Sequence, residues 1–178
     1  ANIIGKIAGG IADDMLSTTI MPAKCPKIIA PAMNTGMIEN PIVQDNIKKL
    51  ESYGYEIVES ATGYLACGDT GKGKLPDAEV LQDYILKAIA KEKDMAGVSL
   101  LVTAGPTREA IDPVRYITNH STGKMGYAIA RQAMLRGADV TLVTGKVDIE
   151  PPRFVNVVDI TSAQDMYEAV MERSREQD

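Results

Sequence analysis

The feature that most constrains this chain is an alternation of short apolar strands with amphipathic helices along its length. Apolar runs bounded by glycine, proline and polar residues predict strands over 27–30, 55–58, 98–103, 139–143 and 154–158. Apolar residues at helical spacing predict helices over 2–16, 41–53, 78–91 and 124–136, and a last helix capped by Ser162 and Asp165. Alternating βα units build parallel sheets covered by helices. The sequence therefore predicts an α/β protein.

A charged connector over 91–97 divides this pattern into two halves. The helix and strand pattern restarts after Gly97, so we expect domains over 1–93 and 98–178, joined by a linker at 94–97. The chain begins on alanine and enters directly on a helical pattern. We therefore expect a fragment whose true start lies upstream.

Composition excludes several classes of function. The net charge of −5 over 178 residues argues against nucleic acid as the main partner. No apolar run reaches the roughly 18 residues of a membrane helix, and no signal-peptide pattern is present. Cys25 and Cys67 are too few for a disulfide framework and lack metal-ligand spacing. These features predict a cytoplasmic protein without a membrane segment or a metal site.

A helix start that suits a phosphate follows the strand at 98–103. Gly105-Pro106 ends the strand, a polar loop follows, and the turn Ser121-Thr122-Gly123 opens the helix at Lys124. The first amides of a helix have no partners within it, and the helix dipole adds positive charge there. This geometry predicts a site for a phosphorylated molecule. The alternative is a glycine turn that closes a helix against a sheet.

Two familiar nucleotide sites do not fit this region. A dinucleotide fingerprint places its glycines directly after the strand, whereas about 20 residues separate the strand from Gly123. The next strand ends in Thr144-Gly145-Lys146, without the acid that binds ribose hydroxyls. Lys124 is followed by Met125, which does not match a P-loop. An ordinary dehydrogenase and a P-loop enzyme are therefore disfavoured.

Two polar residues precede this helix. Arg115 offers a planar two-point donor to a phosphate or carboxylate. The side-chain amide of Asn119 is able to donate to a developing oxyanion. Asn119 is equally suited to a turn or a helix cap, and this alternative stays open.

The first half carries its own candidate residues. Asn34 follows the strand at 27–30, and ligands bind at that edge of open α/β sheets, although Asn34 also suits a turn. Cys67 lies in the glycine-rich segment 61–76, which we expect to be a loop that acts as a mobile flap. An exposed thiol is mostly protonated at neutral pH and is able to donate a proton. Lys72 and Lys74 either reach a phosphate or are solvated charges.

Taken together, these motifs resemble the bifunctional coenzyme A biosynthesis family, in which phosphopantothenoylcysteine decarboxylase is fused to phosphopantothenate–cysteine ligase. The decarboxylase motifs match at 31–34, with Met37, Asn40 and Pro41, and at 66–68, with Gly71 and Gly73. The ligase motifs match at 103–108, 112–115 and 119–126. The resemblance implies two Rossmann/flavodoxin-like three-layer parallel-sheet units, both incomplete in this chain. It makes 1–93 the C-terminal half of a decarboxylase domain and 98–178 the N-terminal part of a ligase domain.

For the ligase half, the resemblance implies activation of 4′-phosphopantothenate by CTP and Mg²⁺ as an acyl-cytidylate, followed by attack of cysteine. Asn119 matches the catalytic asparagine of the family. Substrate and nucleotide binding is expected at seven further positions: Gly105, Thr107, Arg115, Ser121, Thr122, Gly123 and Lys124.

For the decarboxylase half, the resemblance implies FMN, which oxidises phosphopantothenoylcysteine so that carbon dioxide is able to leave. Asn34 matches the residue that holds the substrate carboxylate, and Cys67 matches the residue that protonates carbon. FMN contacts are expected from Asn2, Met33 and Met37, and a substrate contact from Lys74. Ile38 departs from the family pattern, which has tryptophan there.

The resemblance also implies a homo-oligomer that acts on small molecules. Since the decarboxylase histidine and the ligase lysine of the family find no match, we expect the 178-residue chain alone to turn over neither reaction. Two alternatives compete with the bifunctional enzyme: a non-catalytic flavoprotein-like binding or regulatory subunit, and a nucleotide-dependent enzyme of another pathway.

Overall fold

Helices and parallel strands alternate in the computed structural model, which describes residues 1–65, 68 and 70–178. The prediction of a mixed α/β protein with parallel pairing is confirmed. The chain divides into two units, Ala1–Ile85 and Leu86–Asp178. No helix in the described part of the chain has the length and apolar character needed to cross a membrane.

The first unit packs helices against a short parallel pair of strands. Its helices are α1 (Asn2–Gly9), α2 (Met15–Ile20), α3 (Thr35–Ile38), α4 (Pro41–Ser52) and most of α5 (Ala78–Ile89). Its strands are β1 (Ile28–Ile29), β2 (Glu56–Ile57), β3 (Ala61–Tyr64) and β4 (Thr70–Lys74). β1 and β2 pair in parallel. The core joins α1 to α4 through Ile4, Ile7, Ile47 and Leu50.

The helix predicted over 2–16 is wrong in its extent, because the chain breaks it after Gly9. Gly10 ends α1 in the left-handed region at φ 72°, which glycine adopts without strain. Asp14 then begins α2, and its carboxylate accepts a hydrogen bond from the Ser17 amide at 2.8 Å. A helix stop and a new helix cap thus lie within a run whose apolar spacing suggests one helix.

The glycine-rich segment 61–76, predicted as a loop, contains an antiparallel hairpin. β3 pairs with β4 from Tyr64 opposite Thr70 to Ala61 opposite Lys74. Its strands are short and its side chains mostly polar or absent, so no apolar alternation marks them in the sequence.

The second unit contains a parallel sheet in the order β5 (Ser99–Ala104), β8 (Asp139–Thr144), β9 (Asn156–Asp159). Two helices accompany it, α6 (Lys124–Leu135) and α7 (Ala163–Arg173), followed by a 3-10 turn (Ser174–Glu176). The predicted capping pair of α7 is confirmed, since Ser162 and Asp165 form a capping box. The loop between β5 and α6 holds a further hairpin, β6 (Arg108–Ala110) with β7 (Tyr116–Thr118).

The core of the second unit lies between β5, β8 and α6. Val102, Ala130 and Leu142 are buried there, and the last two are fully inaccessible. Leu86 and Ala90, from the end of α5 and just beyond it, pack against this core. The carboxyl ends of β5 and β8 and the first turn of α6 are thereby held together.

Candidate functional sites

A cavity of about 460 Å³ in the second unit lies between the carboxyl end of β5 and the first turn of α6. Five of the residues predicted to bind substrate or nucleotide line it: Gly105, Ser121, Thr122, Gly123 and Lys124. His120, the only histidine of the sequence, lines it as well. The cavity therefore contains the helix start that the sequence assigns to a phosphate.

Close backbone packing shapes this cavity. Gly123 precedes α6 at φ 72° and has no side chain to cap the helix. The first N–H groups of α6 are therefore not capped by this residue and are able to donate to a ligand. A methyl group at Gly126 would lie 2.7 Å from the Ala104 Cβ and 2.9 Å from the Thr103 carbonyl oxygen. Glycine at that position allows α6 to begin directly against β5.

A buried hydrogen-bond chain lies behind the cavity, and sequence reasoning missed it. The Thr144 hydroxyl donates to the Gly145 carbonyl at 2.9 Å, so the Tyr127 hydroxyl, 3.1 Å away, is the donor to Thr144. Both side chains are buried, with Thr144 2% exposed. The sequence feature that could have indicated this pair is a tyrosine in the first turn of a predicted helix together with a threonine at the end of the next predicted strand.

The other predicted ligase residues do not line this cavity. Arg115 donates through Nε to the Asp112 carboxylate at 2.6 Å, which occupies part of its guanidinium. The backbone amides of Arg115 and Val114, followed by the guanidinium, lower the pKa of Asp112 below its usual value. Thr107 accepts a hydrogen bond from the Thr118 hydroxyl through its carbonyl at 2.7 Å.

Asn119 forms the turn that sequence reasoning offered as an alternative. Its Oδ1 accepts a hydrogen bond from the Ser121 amide at 2.9 Å. The Nδ2 group makes no hydrogen bond to the described residues and is solvent-exposed. The side chain is thus able to hold the turn with one atom and donate to a ligand with the other.

Arg108 is a second residue that sequence reasoning did not single out. Its guanidinium stacks over the Tyr116 ring at 4.9 Å. Its Nε is buried without a hydrogen-bond partner among the described residues. The hairpin between β5 and α6 thus carries a cationic donor next to Thr107.

A cavity of about 390 Å³ in the first unit joins the Asn34 turn to the end of β4. Three of the predicted site residues line it: Met33, Asn34 and Lys74. The Asn34 Oδ1 accepts from the Gly36 amide at 2.8 Å, so this asparagine caps the short helix α3. Lys74 forms an exposed ion pair with Asp77, with Nζ 3.6 Å from Oδ1.

The remaining predicted residues of this unit lie apart from that cavity or outside the described residues. Asn2 is exposed at the start of α1, and Met37 is 46% exposed on α3. Cys67 lies outside the described residues. Among the described residues, no group of three histidine, cysteine, aspartate or glutamate side chains is arranged to hold a metal ion.

Two protein-family models match the chain. The model described as "Flavoprotein" matches residues 1–90, and "DNA/pantothenate metabolism flavoprotein C-terminal domain" matches residues 95–178. The coenzyme A biosynthesis bifunctional protein CoaBC of Bacillus subtilis is 49% identical over 174 residues, which are 96% of this chain and 43% of that protein. The chain thus spans less than half the length of this relative.

Further similarities are to a protein with a different name and to a solved structure. A cysteine/cysteine sulfinic acid decarboxylase from an unknown prokaryotic organism is 45% identical over 183 residues, covering 100% of this chain and 51% of that protein. A crystal structure of the C-terminal domain of a CoaBC protein is 54% identical, covers 47% of this chain and 43% of that one, and has a TM-score of 0.47. The resemblance to the bifunctional coenzyme A biosynthesis proteins is confirmed, and the chain belongs to the flavoprotein family.

Proposed function

We propose that the complete gene product containing this chain acts in coenzyme A biosynthesis, with a decarboxylase in its first unit and a ligase in its second. The observation that carries the proposal is that each unit brings several of its motif residues to one cavity: Met33, Asn34 and Lys74 in the first unit, and Gly105, Ser121, Thr122, Gly123 and Lys124 in the second. Relatives named as bifunctional coenzyme A biosynthesis proteins support it. We assign residues 1–93 and 98–178 to two incomplete Rossmann/flavodoxin-like units joined at 94–97.

The ligase step suits the cavity at the start of α6. A carboxylate oxygen of 4′-phosphopantothenate attacks the α-phosphorus of CTP, and diphosphate leaves. Mg²⁺ brought by CTP would offset the negative charge of the phosphates. The amine of cysteine then attacks the acyl carbon, and CMP leaves. We assign the amides of Gly123 and Lys124 to the phosphates, and the Asn119 Nδ2 as the donor to the oxyanion that forms at the acyl carbon.

The decarboxylase step is assigned to the cavity that Asn34 lines. The Asn34 turn presents an amide to the carboxylate of phosphopantothenoylcysteine, with the Lys74 ammonium on the same cavity. Met33 lines this cavity, with its Sδ 3.6 Å from the Ala1 amino group, and we assign FMN contacts to Met33, Asn2 and Met37. FMN supplies a two-electron acceptor when bound. Cys67 is assigned as the proton donor to carbon.

Asn34→Asp tests the decarboxylase assignment. Aspartate keeps the acceptor for the Gly36 amide but replaces the amide donor with a charge that repels a carboxylate. We expect kcat/KM for phosphopantothenoylcysteine to fall about 10- to 100-fold, the equivalent of one hydrogen bond to a charged group. Carbon dioxide release by the complete gene product is the measurement. Unchanged turnover would remove Asn34 from the site, whereas a wild-type protein that releases no carbon dioxide would favour a binding or regulatory subunit.

The relative named as a cysteine/cysteine sulfinic acid decarboxylase supports a second candidate function, decarboxylation of a free amino acid. Phosphopantothenoylcysteine, cysteine and cysteine sulfinic acid should be compared as substrates at equal concentration. We expect carbon dioxide from the first compound alone. Faster release from either free amino acid would select the second candidate.

A further inference from the structure

We propose that Thr35 is a positioning residue that fastens the β3–β4 hairpin to the turn bearing Asn34. The inference rests on the proposed decarboxylase site and adds to it a residue that supports both walls of its cavity. Thr35 does not line the cavity itself, and its side chain acts through the backbone of β4.

Two hydrogen bonds join the hairpin to this turn on either side of Asn34. The Thr35 hydroxyl donates to the Lys72 carbonyl at 2.9 Å. The Met33 amide donates to the Gly73 carbonyl at 3.0 Å. Two consecutive carbonyls of β4 thus accept hydrogen bonds from the segment 33–35.

The glycines of β4 permit this contact. Gly71 and Gly73 both come close to the segment 33–35, and Gly73 lies at the register shift in the β3–β4 pairing. A methyl group at Gly71 would overlap the Thr35 hydroxyl, and one at Gly73 would overlap the Met33 carbonyl oxygen. Their role in the structure is to let the Thr35 side chain and the Met33 backbone approach β4, and the mobile flap expected for this segment stays a prediction.

The consequence concerns the shape of the cavity. Asn34 lines it from the turn, and Gly73 and Lys74 line it from β4. The Thr35 hydrogen bond fixes the distance between the turn and β4. Substrate therefore binds without the entropy cost of ordering the hairpin. Removing the hydroxyl should therefore weaken binding more than it slows the chemical step.

Hydrogen exchange of the hairpin amides in the complete gene product tests the tether directly. Thr35→Val keeps the shape and loses the donor, and Thr35→Ser keeps the donor. We expect exchange at 70–74 to rise about two- to tenfold in Thr35→Val, as for one modest hydrogen bond, and to stay near wild type in Thr35→Ser. Thr62→Val is the matched control, because Thr62 on β3 makes no side-chain hydrogen bond to the described residues.

A suppressor pair tests the packing. Gly71→Ala should raise exchange at 70–74, and the double variant Thr35→Ala with Gly71→Ala should reverse part of that effect. Of the three atoms nearest to the added methyl, all from Thr35, only the Cβ then remains, at 3.3 Å. Gly73→Ala collides with backbone at φ 117°, so Thr35→Ala should not rescue it. Equal rescue of both glycine variants, or of neither, would overturn the tether.

Kinetics separate a positioning role from a general loss of fold. We expect Thr35→Val to raise KM for phosphopantothenoylcysteine about two- to tenfold with kcat little changed, and Thr35→Ser to restore KM. An unchanged KM, or a Thr35→Ser enzyme as weak as Thr35→Val, would contradict the positioning role. A wild-type protein without decarboxylase activity would reject the proposed function instead, while the exchange data still decide the tether.

Discussion

At the scale of single residues, the two asparagines assigned to catalysis share one local geometry. Oδ1 of Asn34 accepts from the Gly36 amide, and Oδ1 of Asn119 accepts from the Ser121 amide. Each side chain therefore forms a turn through its oxygen. For Asn119, whose nitrogen makes no hydrogen bond to the described residues, the turn role and the catalytic role that the sequence offers as alternatives are compatible.

Asn119→Asp separates the two roles. The carboxylate keeps the acceptor for the Ser121 amide and loses the donor. We expect a folded protein whose ligase kcat falls about 100- to 1000-fold, the usual cost of one lost oxyanion donor. Release of CMP in the presence of 4′-phosphopantothenate, cysteine and CTP is the measurement. Full activity of Asn119→Asp would leave this asparagine with the turn role alone.

The buried pair behind the α6 cavity supports a stability prediction. Tyr127→Phe removes one donor to Thr144 and should cost about 1 kcal/mol of unfolding free energy. Thr144→Val leaves the Tyr127 hydroxyl and the Gly145 carbonyl without this partner, and it should cost about 1–3 kcal/mol. Urea unfolding followed by circular dichroism measures both. A larger loss in Tyr127→Phe than in Thr144→Val would contradict the direction of this hydrogen-bond chain.

At the scale of helices, two glycine substitutions should have opposite signs. Gly5→Ala in α1 meets nothing closer than the Asn46 Nδ2 at 3.9 Å, so it should stabilise the first unit by about 1 kcal/mol. Gly126→Ala in α6 would press on Ala104 and the Thr103 carbonyl, and should cost the second unit about 1–3 kcal/mol. Native-state hydrogen exchange measures each unit separately. Stabilisation by Gly126→Ala would show that α6 is free to move away from β5.

The capping box of α7 makes the folding stability of the second unit depend on pH. The backbone amide of Ser162, followed by its hydroxyl and the Thr161 amide, lowers the pKa of Asp165. Because the pKa of this carboxyl group is lower in the folded than in the unfolded protein, its ionised form stabilises the fold above about pH 4. This stabilisation is lost as the pH falls through the pKa of the folded state. Ser162→Ala should raise the pKa of Asp165 part of the way to its usual value. An NMR titration of the Asp165 carboxyl measures this, and an unchanged pKa would assign the shift to the backbone amides alone.

These elements also show which parts of the fold the sequence reveals. The start of α7 is predictable because the Ser162 and Asp165 cap is local and has a known spacing. The two hairpins are not predictable, because their strands are short and their exposed residues follow no apolar alternation. In addition, Gly71 and Gly73 are required by contacts with Thr35 and Met33, which are distant in the sequence. The same limit applies to the cavities: Gly105 and Gly123 are predictable from one motif, whereas Tyr127 and Thr144 meet only through the fold.

At the scale of the whole molecule, the assigned catalytic asparagines lie in different units, Asn34 in residues 1–85 and Asn119 in residues 86–178. Asn34→Asp should therefore still form phosphopantothenoylcysteine, and Asn119→Asp should still decarboxylate it when it is supplied. A mixture of the two variant proteins should convert 4′-phosphopantothenate, cysteine and CTP into 4′-phosphopantetheine, because the intermediate is free to diffuse between molecules. Mass spectrometry of the products measures this. If each variant kept its own half-reaction while the mixture made no final product, the intermediate would have to pass between sites within one molecule or assembly, and the two units could not be treated as separate enzymes.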